Sequence, residues 1–144
     1  AVSDASVLSE AALVAPSAPI LRSFVGLPAY KGILASRTRV DGYWIVLSMS
    51  DDARAAELWH VDFDGHASKV ATYPEPPAGQ LLTSPQSGAQ IDGEGALYQV
   101  AAHTTQFTRE TIVRRTVQGE SSVVYDEGDN PPVQIYGSTL ITGP

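Results

Sequence analysis

Beyond residue 19, short apolar runs alternate with Gly, Pro, Asp and Ser clusters, the rhythm of strands joined by turns. Residues 21–25 read as a strand ended by Gly26-Leu27-Pro28, and residues 33–40 as a second, stopped at Asp41-Gly42. Residues 43–49 (Tyr-Trp-Ile-Val-Leu-Ser-Met) are almost wholly apolar, as expected of a strand covered on both faces. A polar loop over residues 50–54 follows. Residues 57–63 then alternate. Trp59, Val61 and Phe63 share one face, expected to point inward, while Leu58, His60 and Asp62 share the other, expected to meet solvent. Asp64-Gly65 is a strong hairpin signal, and residues 68–73 return as its partner.

The same order then recurs. Residues 81–91 form a strand interrupted by Pro85 and Gly88. Residues 96–102 form an apolar strand like 43–49, followed by a polar loop over 104–108, and residues 111–117 turn at Gly119 into 121–125. Asp41-Gly42, Gly65, Tyr73 and Pro76-Pro77 reappear as Asp92-Gly93, Gly119, Tyr125 and Pro131-Pro132, at offsets of 51, 54, 52 and 55 positions. A period of that size marks a supersecondary unit used more than once. The units span approximately residues 28–76 and 77–131, with a partial third over 132–144 whose strand covers 133–141. Residues 1–19 stand apart as an N-terminal segment and linker, with Ser3 or Asp4 able to cap a short helix and Ala15-Pro16-Ser17-Ala18-Pro19 ending it. Residues 20–144 form the β domain.

The segment Glu57-Leu58-Trp59-His60-Val61-Asp62-Phe63-Asp64-Gly65, closed by Lys69-Val70-Ala71-Thr72-Tyr73, resembles TolB-type β-propeller repeats. In that family a leucine-tryptophan, valine-aspartate, aspartate-glycine hairpin forms the outer strands of each blade. Asp92-Gly93-Glu94-Gly95-Ala96-Leu97-Tyr98 is similar to the entry to an inner strand. The resemblance covers roughly residues 28–142, and it departs from the pattern where Val113 stands for Trp59 and Thr116 for Asp62. It implies blades and fixes no activity. Closed propellers use about 4–8 blades, more than this chain holds. The expected fold is therefore all-β: an antiparallel, repeat-built domain forming an incomplete or oligomer-completed β-propeller. A two-sheet β-sandwich is the alternative.

Composition narrows the function classes. The chain is 43% hydrophobic and 17% charged, with a formal charge of −7. A nucleic-acid partner is not expected, because nucleic-acid binding needs a basic footprint; Arg114 and Arg115 are the one adjacent basic pair, and in a strand they point to opposite faces. Absence of cysteine removes disulfide and thiolate chemistry. No apolar run approaches the roughly 20 residues of a membrane helix, so no membrane insertion is expected. The cysteine-free chain, which begins at Ala1, is expected to be extracytoplasmic, secreted or periplasmic.

Several residues carry candidate chemistry. Tyr43, Trp44, Trp59 and Tyr98 could make a sugar-stacking platform, although strand aromatics also fill cores, the expected place of Trp59, and Tyr43, Trp44 and Tyr98 are kept as candidate binding aromatics. His103, ending an apolar strand, is a fourth candidate. His60, Asp62 and Asp64 alternate along one strand and are weak candidates for a divalent cation, set against their ordinary use as hairpin punctuation. The acidic run Asp126-Glu127-Gly128-Asp129-Asn130 reads as a solvated connection. No Gly-x-Ser-x-Gly elbow and no phosphate-cradling glycine loop is present. The expectation is a non-catalytic, acidic binding or assembly module without cofactor. It would contact a protein partner or itself through edge strands 21–25 and 133–141. The alternatives are the propeller part of a larger hydrolase and a lectin-like carbohydrate-binding ring.

Overall fold

The computed structural model describes residues 24–82 and 89–128, and these are all-β. The expected segments 1–19 and 133–141 lie outside them, as do residues 21–23 of the strand expected over 21–25, of which Phe24 and Val25 are described. Nine strands are described: β1 Gly32–Arg39, β2 Gly42–Ser48, β3 Ala56–Asp62, β4 Ala67–Thr72, β5 Gln80–Leu82, β6 Ala89–Ile91, β7 Leu97–His103, β8 Gln106–Arg115 and β9 Ser121–Asp126. They form two open antiparallel sheets. The first has the order β1-β2-β3-β4. In the second β5 and β6 lie successively along one edge of β7, which pairs with β8, and β8 with β9. The two apolar segments are thus the second strands of their sheets, each flanked on both sides. The loop expected over 104–108 is shorter, because β8 already begins at Gln106.

Backbone pairing relates the sheets residue by residue. Asp62 and Thr116 open the same turn: each backbone N–H donates to a carbonyl four residues on (His66 at 3.0 Å, Glu120 at 2.8 Å), and each side chain accepts from that residue's N–H. In both turns a glycine, Gly65 or Gly119, takes the left-handed conformation, as in a three-residue loop closed by a glycine bulge. Each outer strand carries a bulge, at Val70 and at Val124. Each sheet ends on one more bond, Tyr73 N to the Ala56 carbonyl and Glu127 N to the Glu110 carbonyl. All these pairs are separated by 54 positions. The structural counterpart of Tyr73 is therefore Glu127 rather than Tyr125, and that of Trp44 is Tyr98.

That register decides how the sheets pack. Val46 and Leu58, cross-strand neighbours in the first sheet, are fully buried against Leu97, Ala101 and Val113 of the second. Counterparts of Val46 and Leu58 in the second sheet are Val100 and Ile112, which pair with each other on its far side. Counterparts of Leu97 and Val113 are Tyr43 and Trp59, on the back of the first sheet. The front of one sheet therefore meets the back of the next, and a pseudo-two-fold sandwich, in which equivalent faces meet, is not what forms.

The inward and outward faces expected for residues 57–63 need correction. Leu58 is at the centre of the intersheet core, and His60 on the same face is half-buried, whereas Phe63 is 55% exposed. Both faces of β3 are covered, so alternation there does not separate core from solvent. Behind the first sheet, Ile45, Leu47 and Val61 form a second cluster with Leu27, Met49, Trp59 and Ala67. Val25 lies against the β3–β4 hairpin: its N–H donates to the Gly65 carbonyl (2.9 Å), and Ala67 N donates to the Val25 carbonyl (2.8 Å).

Candidate functional site

Arginines fix the seam between the sheets. Arg37 Nη1 donates to the Ile91 carbonyl (3.3 Å) and Arg39 Nη1 to the Gly93 carbonyl (3.1 Å), joining β1 to the inner edge of the second sheet. Arg54 Nη1 donates to the Gln80 carbonyl (3.3 Å). Arg115 is fully buried. Its Nε donates to the Pro74 carbonyl (2.8 Å), Nη1 to the Ala53 carbonyl (3.3 Å) and Gln99 Oε1 (2.8 Å), and Nη2 to the Arg54 carbonyl. Burial pulls its pKa down to about 10, which leaves the guanidinium charged at neutral pH. Carbonyl dipoles solvate a cation that water cannot reach, and the guanidinium fork suits several of them at once. Tyr73 crosses the same seam. Its hydroxyl donates to the Gly95 carbonyl at 2.6 Å, and burial raises its pKa. Gly95 takes φ +87°, and a Cβ there would meet Leu58 and Val117 side chains at 3.1 and 3.3 Å.

The candidate binding aromatics do not converge. Trp44 and Tyr43 point to opposite faces of β2. Trp44 faces the seam, with the Arg39 guanidinium 3.8 Å over its ring. Tyr43 is on the back, edge-on to Phe63 with ring centroids 5.5 Å apart. Tyr98 is on the far side of the second sheet, where its hydroxyl accepts from Arg114 Nε at 3.0 Å. A sugar-stacking platform is not assembled from these three. His103 lies at the end of β7, its Nε2 3.9 Å from Asp126 Oδ2.

The cation candidates are rearranged. His60 Nε2 lies 3.1 Å from Asp41 Oδ1, off-line for a hydrogen bond. Asp62 ends its strand and the chain curls, so Asp62, Asp64 and His66 instead bring their ligand atoms within 4.8 Å of one another. That trio could hold a divalent cation at an exposed turn. Asp62 Oδ1 is already used in the turn, accepting from the N–H groups of Asp64 and His66 at 2.9 Å. These backbone bonds, the His66 N–H first, hold the Asp62 carboxyl below its ordinary pKa.

Where it is described, the acidic run beginning at Asp126 is hydrogen-bonded, Asp126 at an exposed position and Glu127 at a buried one. Arg109 grips Asp126 through Nε and Nη2, both at 2.8 Å, and lowers its pKa to about 2. Glu127 is buried, and its Oε1 accepts from the Glu110 N–H (2.9 Å). Burial, and then the Glu127 charge, raise the Glu110 pKa, and Glu110 Oε1 is enclosed without a hydrogen-bond donor. The sequence marks Asp126 and Glu127 only as an acidic run, and nothing in it flags Glu110 or the pairing with Arg109, because these partners come from the neighbouring strand.

A shallow depression is lined by Lys31, Gly32, Ser48, Ser50 and Asp51, at the loop whose Ala53 and Arg54 carbonyls accept from Arg115. Among the described residues no helix is long and apolar enough to cross a membrane. Compared with protein-family models, curated proteins and solved structures, the chain finds no match.

Proposed function

We propose that this chain is a non-catalytic, extracytoplasmic binding and assembly module built of propeller-type blades. The observation that carries this reading is the front-to-back packing of two sheets related by a single offset of 54 positions. Such packing is heterologous and leaves an unlike face at each end, so two sheets do not complete the arrangement by themselves. Apolar side chains at the outer edges support the same reading, with Val70 47%, Val124 49% and Tyr125 44% exposed on β4 and β9. Within this reading the chain meets a protein partner or a second copy through edge strands 21–25 and 133–141, although Val25 is itself paired with the β3–β4 hairpin. The extracytoplasmic assignment rests on the cysteine-free composition alone.

Photo-crosslinking tests the reading. A photoreactive side chain at Val124 of the full chain is expected to give discrete protein adducts, while the same group at buried Val113 gives none. Saturable binding on a glycan array without protein adducts would contradict it, as would hydrolysis of a model ester by the purified chain.

A further inference from the structure

The tip of the first sheet combines exposed apolar side chains with carboxylates. Pairing of Gly42 with Asp62 sets the β1–β2 turn beside the β3–β4 turn. There Val40 is 99%, Phe63 55% and Tyr43 43% exposed, and Tyr43 and Phe63 touch. A wholly exposed valine in a tight turn contributes nothing to the core, and a cluster of such residues on one tip marks a contact surface. In the chain Asp41 follows Val40, and Asp62 and Asp64 flank Phe63, with His60 beside Asp41 and His66 beside Asp62. The cations nearest in sequence are engaged elsewhere. Arg39 stacks on Trp44 and donates to the Gly93 carbonyl, and Lys69 is tied to Glu57 at 3.0 Å.

Resting on the binding-module reading above, we propose that this tip docks a basic, apolar segment of a partner protein. A lysine or arginine lays its aliphatic stem on Val40 and Phe63 while its charge meets the carboxylates and the ring faces. An acidic or neutral apolar occupant would bury those carboxylates without a counter-charge. A second copy of this chain brings a formal charge of −7 of its own, and charge selects against it too.

The test is panning of a random peptide library on the immobilised full chain, in buffer containing a chelator so that no cation bridges the acids. Enriched peptides are expected to carry Lys or Arg beside aliphatic or aromatic residues. One such peptide should lose about tenfold or more in affinity with Phe63→Ser or with Asp41→Asn and Asp64→Asn together. It should weaken at high salt and be indifferent to Val124→Ser. Neutral or acidic winners, affinity unmoved by the tip substitutions, or no enrichment would overturn the proposal. Protein adducts at Val124 alongside such a failure would leave the module reading standing; loss of both results would remove both.

Discussion

Arg115 Nη1 donates to the carbonyl of Ala53, 62 residues earlier, at 3.3 Å, and so ties β8 of the second sheet to the loop between β2 and β3 of the first. Ala53 is fully buried and the one described non-glycine residue with positive φ, at 61°. Its left-handed backbone aims the carbonyl at the guanidinium. The loop and the cation each supply what the other lacks, a dipole for a desolvated charge and a donor for a buried acceptor.

Arg115→Ala is therefore expected to cost about 3 kcal/mol or more, because it strands several buried acceptors together. Arg115→Lys should recover only a minor part, since an ammonium cannot span the same carbonyls. Chemical denaturation of the full chain measures both. A loss below about 1 kcal/mol for Arg115→Ala would show that the seam does not depend on this residue.

The two tyrosines that look alike in sequence should behave differently. Tyr73→Phe removes a buried bond to the Gly95 carbonyl and should cost about 1–2 kcal/mol. Tyr125→Phe, on an exposed edge, should stay within about 0.5 kcal/mol. Equal shifts in denaturation midpoint would restore the equivalence that the structure denies.

The end of the β8–β9 hairpin gives opposite pH dependences. The Asp126 pKa is depressed to about 2 by Arg109, so its stabilisation is present above about pH 4, the ordinary carboxylate range, and fades as pH falls toward 2. The Glu110 pKa is raised, so its contribution is greatest below about pH 4 and is lost as pH rises through the folded-state value. Asp126→Asn should destabilise the protein at pH 7 and converge with the parent in strong acid. Glu110→Gln should stabilise it at pH 7 and show no gain at pH 3. Thermal unfolding of the three proteins across this range checks the signs, and parallel curves would contradict both assignments.

Strand order and turn positions were legible because glycine, proline and Asx residues punctuate apolar runs. Register was not. The Asp-Gly pairs align at 51 positions while pairing aligns the sheets at 54, because the turn over residues 92–96 is longer than the one at Val40 and Asp41, and the tyrosines align at 52 because Tyr125 is not the counterpart of Tyr73. A one-residue error in a strand exchanges its faces, so matching residues 43–49 to 96–102 put Trp44 opposite the wrong counterpart. Arg115 was read only as half of an alternating pair. Its acceptors lie 16 to 62 residues away, and no local pattern announces them. Among the cation candidates, His60 was displaced by His66 because the strand ends at Asp62, where alternation no longer predicts direction.

Front-to-back packing of the sheets is the central claim, and methyl–methyl nuclear Overhauser contacts test it most directly. With Leu, Val and Ile methyl groups labelled, Val46 and Leu58 should show cross-peaks to Leu97 and Val113 and none to Val100 and Ile112. Cross-peaks from Val46 and Leu58 to Val100 and Ile112 would mean that equivalent faces meet, and would contradict the account.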